Sequence, residues 1–181
     1  MALGLTPQEI VDQGKHPLLV SASRWQRVPL ASVAKVQNGF PFKSELFDRE
    51  NGIPLIRIRD LSRGETDHRY NGEYDPEYIV KNGDIIIGMD GDFSAAIWVG
   101  EDSLLNQRVC RLVMSSRSYD RKFLFICLQP YLNAINAETS SVTVKHLSSK
   151  TIEEIPLPLP PLKEQRRIVA KLEALFSELD K

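Results

Sequence analysis

Apolar positions change rhythm along this chain. From Trp25 to about Arg117 they fall in short β-rich runs, Leu55-Ile56-Arg57-Ile58-Arg59, Asp84-Ile85-Ile86-Ile87 and Val109-Cys110-Arg111-Leu112-Val113. Glycines at 39, 52, 64, 72, 83, 88, 91 and 100 punctuate these runs, which predicts many short strands joined by turns. Between Tyr119 and Ala137 the period becomes helical, with Phe123, Leu124, Cys127, Leu128, Tyr131, Leu132 and Ile135 recurring at three- and four-residue steps. Pro130 is expected to kink or split that helix, because proline has no N–H for the preceding turn. A short strand, Val142-Thr143-Val144, should follow.

The run Ile155-Pro156-Leu157-Pro158-Leu159-Pro160-Pro161 predicts an extended connector that cannot join a sheet interior. Beyond it, Leu162, Val169 and Phe176 share one heptad position and Gln165, Leu172 and Leu179 the other, with Ile168 and Leu175 widening the stripe. At the other end, Thr6-Pro7-Gln8-Glu9 is a helix-start signal and Gly14 a stop. The expected organisation is an N-terminal arm with a short helix over 1–24, a body over 25–155, and a connector with a pairing helix over 156–181. The fold class is α+β: a mostly β body with a few helices, then a long C-terminal helix of coiled-coil type.

With 181 residues, 42% of them apolar, the chain suffices for one substantial domain plus an appendage. No apolar run approaches the roughly 20 residues that cross a bilayer, and the start lacks an export signal, so a cytoplasmic protein without membrane association is expected. Cys110 and Cys127 sit in apolar stretches and read as core residues. A net charge of -1 does not itself point to nucleic acid, whose phosphates are met by Lys and Arg. A local basic face on a neutral body remains compatible with it.

Catalytic signatures are missing from the sequence. Asp84, Asp90 and Asp92 flank a strand as turn formers, and their spacing does not match a calcium loop. His16, His68 and His146 stand without a local nucleophile or orienting acid. Phosphate-binding glycine loops are absent, and Pro160-Pro161 lacks the polar and aromatic neighbours of an adenine methyltransferase motif. No enzyme activity, metal or cofactor is therefore expected of the chain. Two polar groups suit base reading if loops present them: Arg57-Ile58-Arg59-Asp60 with Arg63 and Arg69, and Asn106-Gln107-Arg108. Arginines alternating on a strand are more often a solvated sheet face.

From Trp25 to Lys181 the motifs occur in a telling order. They are Trp25-Gln26-Arg27-Val28-Pro29-Leu30, Asn38-Gly39-Phe40-Pro41-Phe42-Lys43-Ser44, Ile53-Pro54-Leu55-Ile56-Arg57-Ile58-Arg59-Asp60-Leu61, Gly83-Asp84-Ile85-Ile86-Ile87 and Asn106-Gln107-Arg108-Val109. The most specific follows, the proline run leading into Leu162-Lys163-Glu164-Gln165-Arg166-Arg167-Ile168-Val169. In this order they resemble one half of the specificity subunit of type I restriction-modification enzymes. The resemblance implies a target-recognition domain and a spacer helix that pairs with a second recognition half. It also implies binding of double-stranded DNA at a split site, beside methyltransferase subunits that carry S-adenosylmethionine and a restriction subunit that uses ATP. The chain is then either a half-subunit that dimerises or the N-terminal part of a longer one, and the missing helix-stop signal favours the latter. The alternative function is a protein-interaction scaffold of similar architecture without DNA readout.

Polar segments beside the apolar strands are the expected reading loops. They supply Lys43, Ser44, Arg57, Arg59, Arg63, Asp92, Ser94, Arg108, Thr143, Lys145 and His146 as candidate DNA contacts. Lys43 and Lys145 are expected to neutralise phosphates, and Arg63 and Ser94 to reach base edges. The candidate helix-pairing interface is Leu162, Gln165, Ile168, Val169, Leu172, Leu175, Phe176 and Leu179.

Overall fold

The computed structural model describes residues 25–139 and 145–179. The expected N-terminal arm and the Val142-Thr143-Val144 strand lie outside the described residues. The apolar runs form short strands: β1 (Arg27–Pro29), β2 (Ala34–Asn38), β3 (Phe47–Asp48), β4 (Ile53–Ile56), β5 (Arg69–Tyr70), β6 (Ile79–Val80), β7 (Ile85–Gly88), β8 (Ala95–Ile97), β9 (Ser103–Leu105), β10 (Val109–Met114) and β11 (Pro156–Pro158). With them stand α1 (Arg121–Glu138), α2 (Ser149–Glu153) and α3 (Leu162–Leu179). The architecture is α+β.

One sheet runs β2-β10-β7-β8 with every neighbour antiparallel. Its pleat explains the triple isoleucine of β7, since successive side chains point to opposite faces. Ile85 and Ile87 join Cys110, Leu112 and the buried residues of α1, including Phe123, Leu124 and Leu128, in the largest core. Ile86 faces the other way, into a second core with Ile56, Trp98, Leu105 and Val109. A strand covered on both faces can be apolar throughout, as β7 is.

That second core is shared with the other large sheet, ordered β3-β5-β4-β9-β6 and mixed because β4 and β9 run parallel. Arg111 joins the two sheets with polar contacts. Its guanidinium donates to Gln37 Oε1 at 2.6 Å, to the Asp84 carboxylate at 3.1 Å and to the carbonyls of Glu77 and Ile79. Asp84 also accepts from Lys81 N at 2.9 Å, so this acid serves the turn that opens β7.

Asp120 starts α1 by accepting from the backbone N–H groups of Lys122 and Phe123, at 3.0 and 3.2 Å. The expected split at Pro130 does not occur, and α1 continues through it to Glu138. Proline costs an interior turn about 3 kcal/mol, whereas Phe123, Leu124, Leu128, Tyr131, Leu132, Ala134 and Ile135 are all buried along one helix. Packing on that scale outweighs the local penalty.

The proline run is built into the molecule. β11 pairs antiparallel with β1, matching Arg27 to Pro158, Val28 to Leu157 and Pro29 to Pro156. In a two-stranded ribbon both strands are edges, which is where prolines are tolerated. Ile155 and Leu157 are fully buried in the largest core, which Val169 of α3 also joins. The helix changes character along its length: Gln165 and Val169 are buried, Ile168 and Leu172 half-buried, and Leu175, Phe176 and Leu179 are 47%, 61% and 80% exposed. Among the described residues no helix is long and apolar enough to cross a membrane.

Candidate nucleic-acid interface

At the end of the first sheet where β7 finishes and β10 begins, three polar segments converge. After Gly88 the chain turns through Met89-Asp90-Gly91-Asp92-Phe93-Ser94, with Gly91 at φ +71° and Gly88 N donating to Ser94 O. Met89 N donates to Arg108 O, Leu147 N to Met89 O and Gly91 N to Lys145 O. Backbone hydrogen bonds thus tie 89–94, 106–108 and 145–147 together. Met89, Phe93 and Leu147 are buried beneath them, so the loops stand on a packed floor.

Asp90 organises this corner. One carboxylate oxygen accepts from Arg108 Nη1 at 2.8 Å and the other from His146 Nδ1 at 2.6 Å. The Asp90 side chain is only 16% exposed, whereas those of Arg108 and His146 are 56% and 55% exposed. A sheltered acid therefore fixes two side chains that stay more than half exposed. The pair Asp90–His146 superficially resembles the orienting half of a hydrolytic triad. Among the described residues, however, no hydroxyl or thiol is hydrogen-bonded to His146, and the chemistry needs such a nucleophile.

The neighbouring Gly39 and Phe40 run beside this corner, with Phe40 bridged in parallel to Asn106. A Cβ on Gly39 would lie 2.0 Å from Asn106 O, so only glycine permits this approach. Asn106 uses its own side-chain oxygen on Gln107 N at 2.9 Å, which shapes the turn that presents exposed Gln107 and Arg108.

The arginine-rich segment after β4 differs from the alternating strand that its sequence suggests. Ile58–Asp60 is a 3-10 turn, because fully buried Asp60 accepts from Arg57 N at 2.9 Å and from Arg63 Nη2 at 3.0 Å. Arg63, expected to read bases, is further held by Asp67 at 3.2 Å, and two carboxylates offset its charge. Ile58 and Leu61 lie against Gly88, and Arg59 in the same turn is exposed. Arg57 contacts the His68 ring, and both line a cavity of about 500 Å³ with Phe47, Asp48, Arg49 and Glu50. Burial, then the nearby Arg57 and Arg59 guanidiniums, hold His68 below its ordinary pKa.

Other candidates are dispersed. Lys43 and Ser44 are exposed at a 3-10 turn on the second sheet's side. Lys43 and Arg59 pair with no acid among the described residues. Lys145, expected on phosphate, donates instead to Asn136 O at 2.6 Å and Asn136 Oδ1 at 2.7 Å, closing the C-terminal end of α1. Asp92 is exposed and Ser94 half-buried in the β7–β8 turn, and Thr143 lies outside the described residues. Asp90, which the sequence presents only as a turn former, is the organiser that sequence reasoning missed. Its partners stand 18 and 56 residues away, and no local signal marks them.

The helix-pairing set also divides. Gln165 accepts from Asp120 N at 2.7 Å and donates to Ser118 O at 3.0 Å and Pro160 O at 2.8 Å. It is fully buried within this chain, as Val169 nearly is, so neither belongs to an outward seam. Burial pushes the thiols of Cys110 and Cys127 up to about 12, which leaves them unreactive. Among the described residues no cluster of three or more His, Cys, Asp or Glu could hold a metal.

Residues 22–181 match the family described as the type I restriction modification DNA specificity domain. The chain is 48% identical over 181 residues to the type I restriction enzyme EcoBI specificity subunit of Escherichia coli, covering 99% of this chain and 38% of that protein. To the EcoAI specificity subunit of the same organism it is 32% identical over 173 residues, 87% of this chain and 29% of that one. It thus spans well under half the length of these relatives. The fold is similar to the crystal structure of the HsdS subunit from Thermoanaerobacter tengcongensis, with a TM-score of 0.67 and 20% identity, over 96% of this chain and 46% of the other.

Proposed function

This chain belongs to the type I restriction modification DNA specificity domain family, and from that footing we propose that it reads double-stranded DNA as one recognition half of a specificity subunit. The observation that carries the reading is the corner at which Asp90 holds Arg108 and His146, whose side chains both stay more than half exposed. Exposed donors on pinned loops are what base edges and phosphates require. Arg108 and Gln107 are assigned to base edges, and Arg59, Lys43 and His146 to phosphates. The recognition body spans 25–155, and the connector with α3 spans 156–181.

The chain itself supplies no catalysis and holds no cofactor. Cleavage and methylation belong to partner methyltransferase and restriction subunits, in the cytoplasm. The exposed stripe Leu175, Phe176 and Leu179, with half-buried Ile168 and Leu172, pairs with a second helix of the same kind in coiled-coil fashion. That pairing sets the distance between two reading bodies at about 1.5 Å per residue.

Selection of bound sequences from a random duplex pool, with the neighbouring methyltransferase subunit supplied, tests the reading. One enriched motif is expected, with Arg108→Ala weakening the preferred site by about 1–3 kcal/mol and other sequences little. Failure to enrich any sequence would refute it.

A further inference from the structure

Beyond the Asn106 turn lies a cavity of about 370 Å³ lined by Phe40, Phe42, Glu73, Tyr74, Asp75 and Tyr78. Its aromatic wall is continuous. Phe42 forms the floor at 7% exposure, with ring centroids 5.1 Å from Phe40 and 6.2 Å from Tyr78, and Phe40 lies 5.2 Å from Tyr78. Phe40 and Tyr74 remain 43% and 40% exposed, a large aromatic surface to leave in water.

The rim is acidic. Glu73 and Asp75 open onto the cavity and Glu77 follows them, all three exposed, and no lysine or arginine occurs between Tyr70 and Val80. None of these carboxylates forms an ion pair among the described residues. Asp75 is nonetheless oriented, accepting from Glu77 N at 2.9 Å. Arg111, behind this segment, donates to the Glu77 carbonyl and pairs with Asp84, not with any of these three acids.

We propose that this cavity is a docking site for a lysine or arginine side chain on an exposed basic segment of a partner protein. Aromatic faces attract a cation through their quadrupoles, and the carboxylates beside them supply the countercharge. The same carboxylates repel phosphate, so the cavity is distinct from the DNA-reading corner. Its volume lies within the range of specific small sites and accommodates one long basic side chain.

The test uses the full chain and three fluorescent probes: a lysine- and arginine-rich peptide, its glutamate-substituted counterpart, and a DNA duplex, each followed by anisotropy. The basic peptide should bind and the acidic one should not. The charge variant E73Q/D75N/E77Q and the aromatic variant F40A/Y74A should each weaken the basic peptide roughly three- to tenfold, as loss of a cation–π site implies. Circular dichroism should be unchanged, because all five side chains are exposed, and duplex binding should be equal or slightly stronger in the charge variant. Peptide affinity unchanged in either variant would overturn the proposal, since indifference to the rings would leave only diffuse acidic attraction. A loss of duplex binding in F40A/Y74A would also overturn it, by making the rings a stacking platform for bases. The DNA reading would survive unchanged peptide affinity in either variant, because it rests on Arg108 and His146.

Discussion

Replacing Gln165 should unfasten the junction between the body and α3. The side chain is fully buried and its three hydrogen bonds reach two different segments: Ser118 and Asp120 at the start of α1, and Pro160 at the end of the proline run. In Gln165→Ala all three backbone groups lose their partner. Orphaning a buried polar group costs about 1–3 kcal/mol. Ser118 is exposed and Asp120 half-buried, so water can satisfy part of the loss, and only the Pro160 carbonyl bears the full penalty. The expected loss is about 2–4 kcal/mol, a large part of the 5–15 kcal/mol typical of a domain. Urea denaturation followed by circular dichroism measures it. Gln165→Glu adds a sharper condition, because its acid keeps an acceptor for Asp120 N but turns an oxygen toward two carbonyls. Only the protonated form can donate there, so its pKa in the folded state rises above the unfolded value of about 4.3. The folded variant then binds the extra proton, and its deficit grows as pH rises from below about 4.3 through that raised pKa. A loss in Gln165→Ala below about 1 kcal/mol, or a shift in self-association with an intact stability curve, would refute the junction role and return Gln165 to the helix seam.

Asp90→Ala should weaken the preferred duplex about as much as Arg108→Ala, with the double variant little worse than either; additive losses in a double-mutant cycle would mean that Asp90 does not act through Arg108. Gly39→Ala, forced against the Asn106 carbonyl, should cost about 1–3 kcal/mol by denaturation, and a neutral result would show that the segment shifts freely. His68 has a folded pKa below its ordinary 6.5, so the unfolded chain binds the proton more readily and stability should fall as pH drops below 6.5. His68→Gln should flatten that slope, and equal slopes in parent and variant would count against the linkage. Leu172→Asp with Leu175→Asp should abolish self-association in sedimentation while leaving denaturation of the body unchanged; a parent that stays monomeric at high concentration would remove the seam.

Where neighbours in sequence decide the structure, the chain was readable. The period of Phe123 to Ile135 gave α1, the run Ile85-Ile86-Ile87 gave a strand, and the aspartates around it gave turns. What escaped depends on partners distant in sequence. A heptad position looks the same whether its residue faces another helix or its own body, so Gln165 read as seam. Asp60 converts Arg57-Ile58-Arg59 from strand to turn only because it is buried beneath it. Lys145 looked free for phosphate until the end of α1 came within its reach. The corner itself was half legible: Arg108 and His146 were named from their chemistry, but the acid that joins them was not.

The β1–β11 ribbon has a consequence for evolution. Arg27 lies across from Pro158, so the chain enters the body and leaves it at neighbouring points, with everything that meets DNA in the proposed reading strung between them. Exchange of the stretch from β2 to α2 for another that ends on the same two strands would leave the ribbon, the Leu157 anchor and the onset of α3 in place. Domains whose ends lie close together tolerate such replacement. A lineage could thus acquire a new target in one recombination event, without redesigning the shaft on which the reader is mounted.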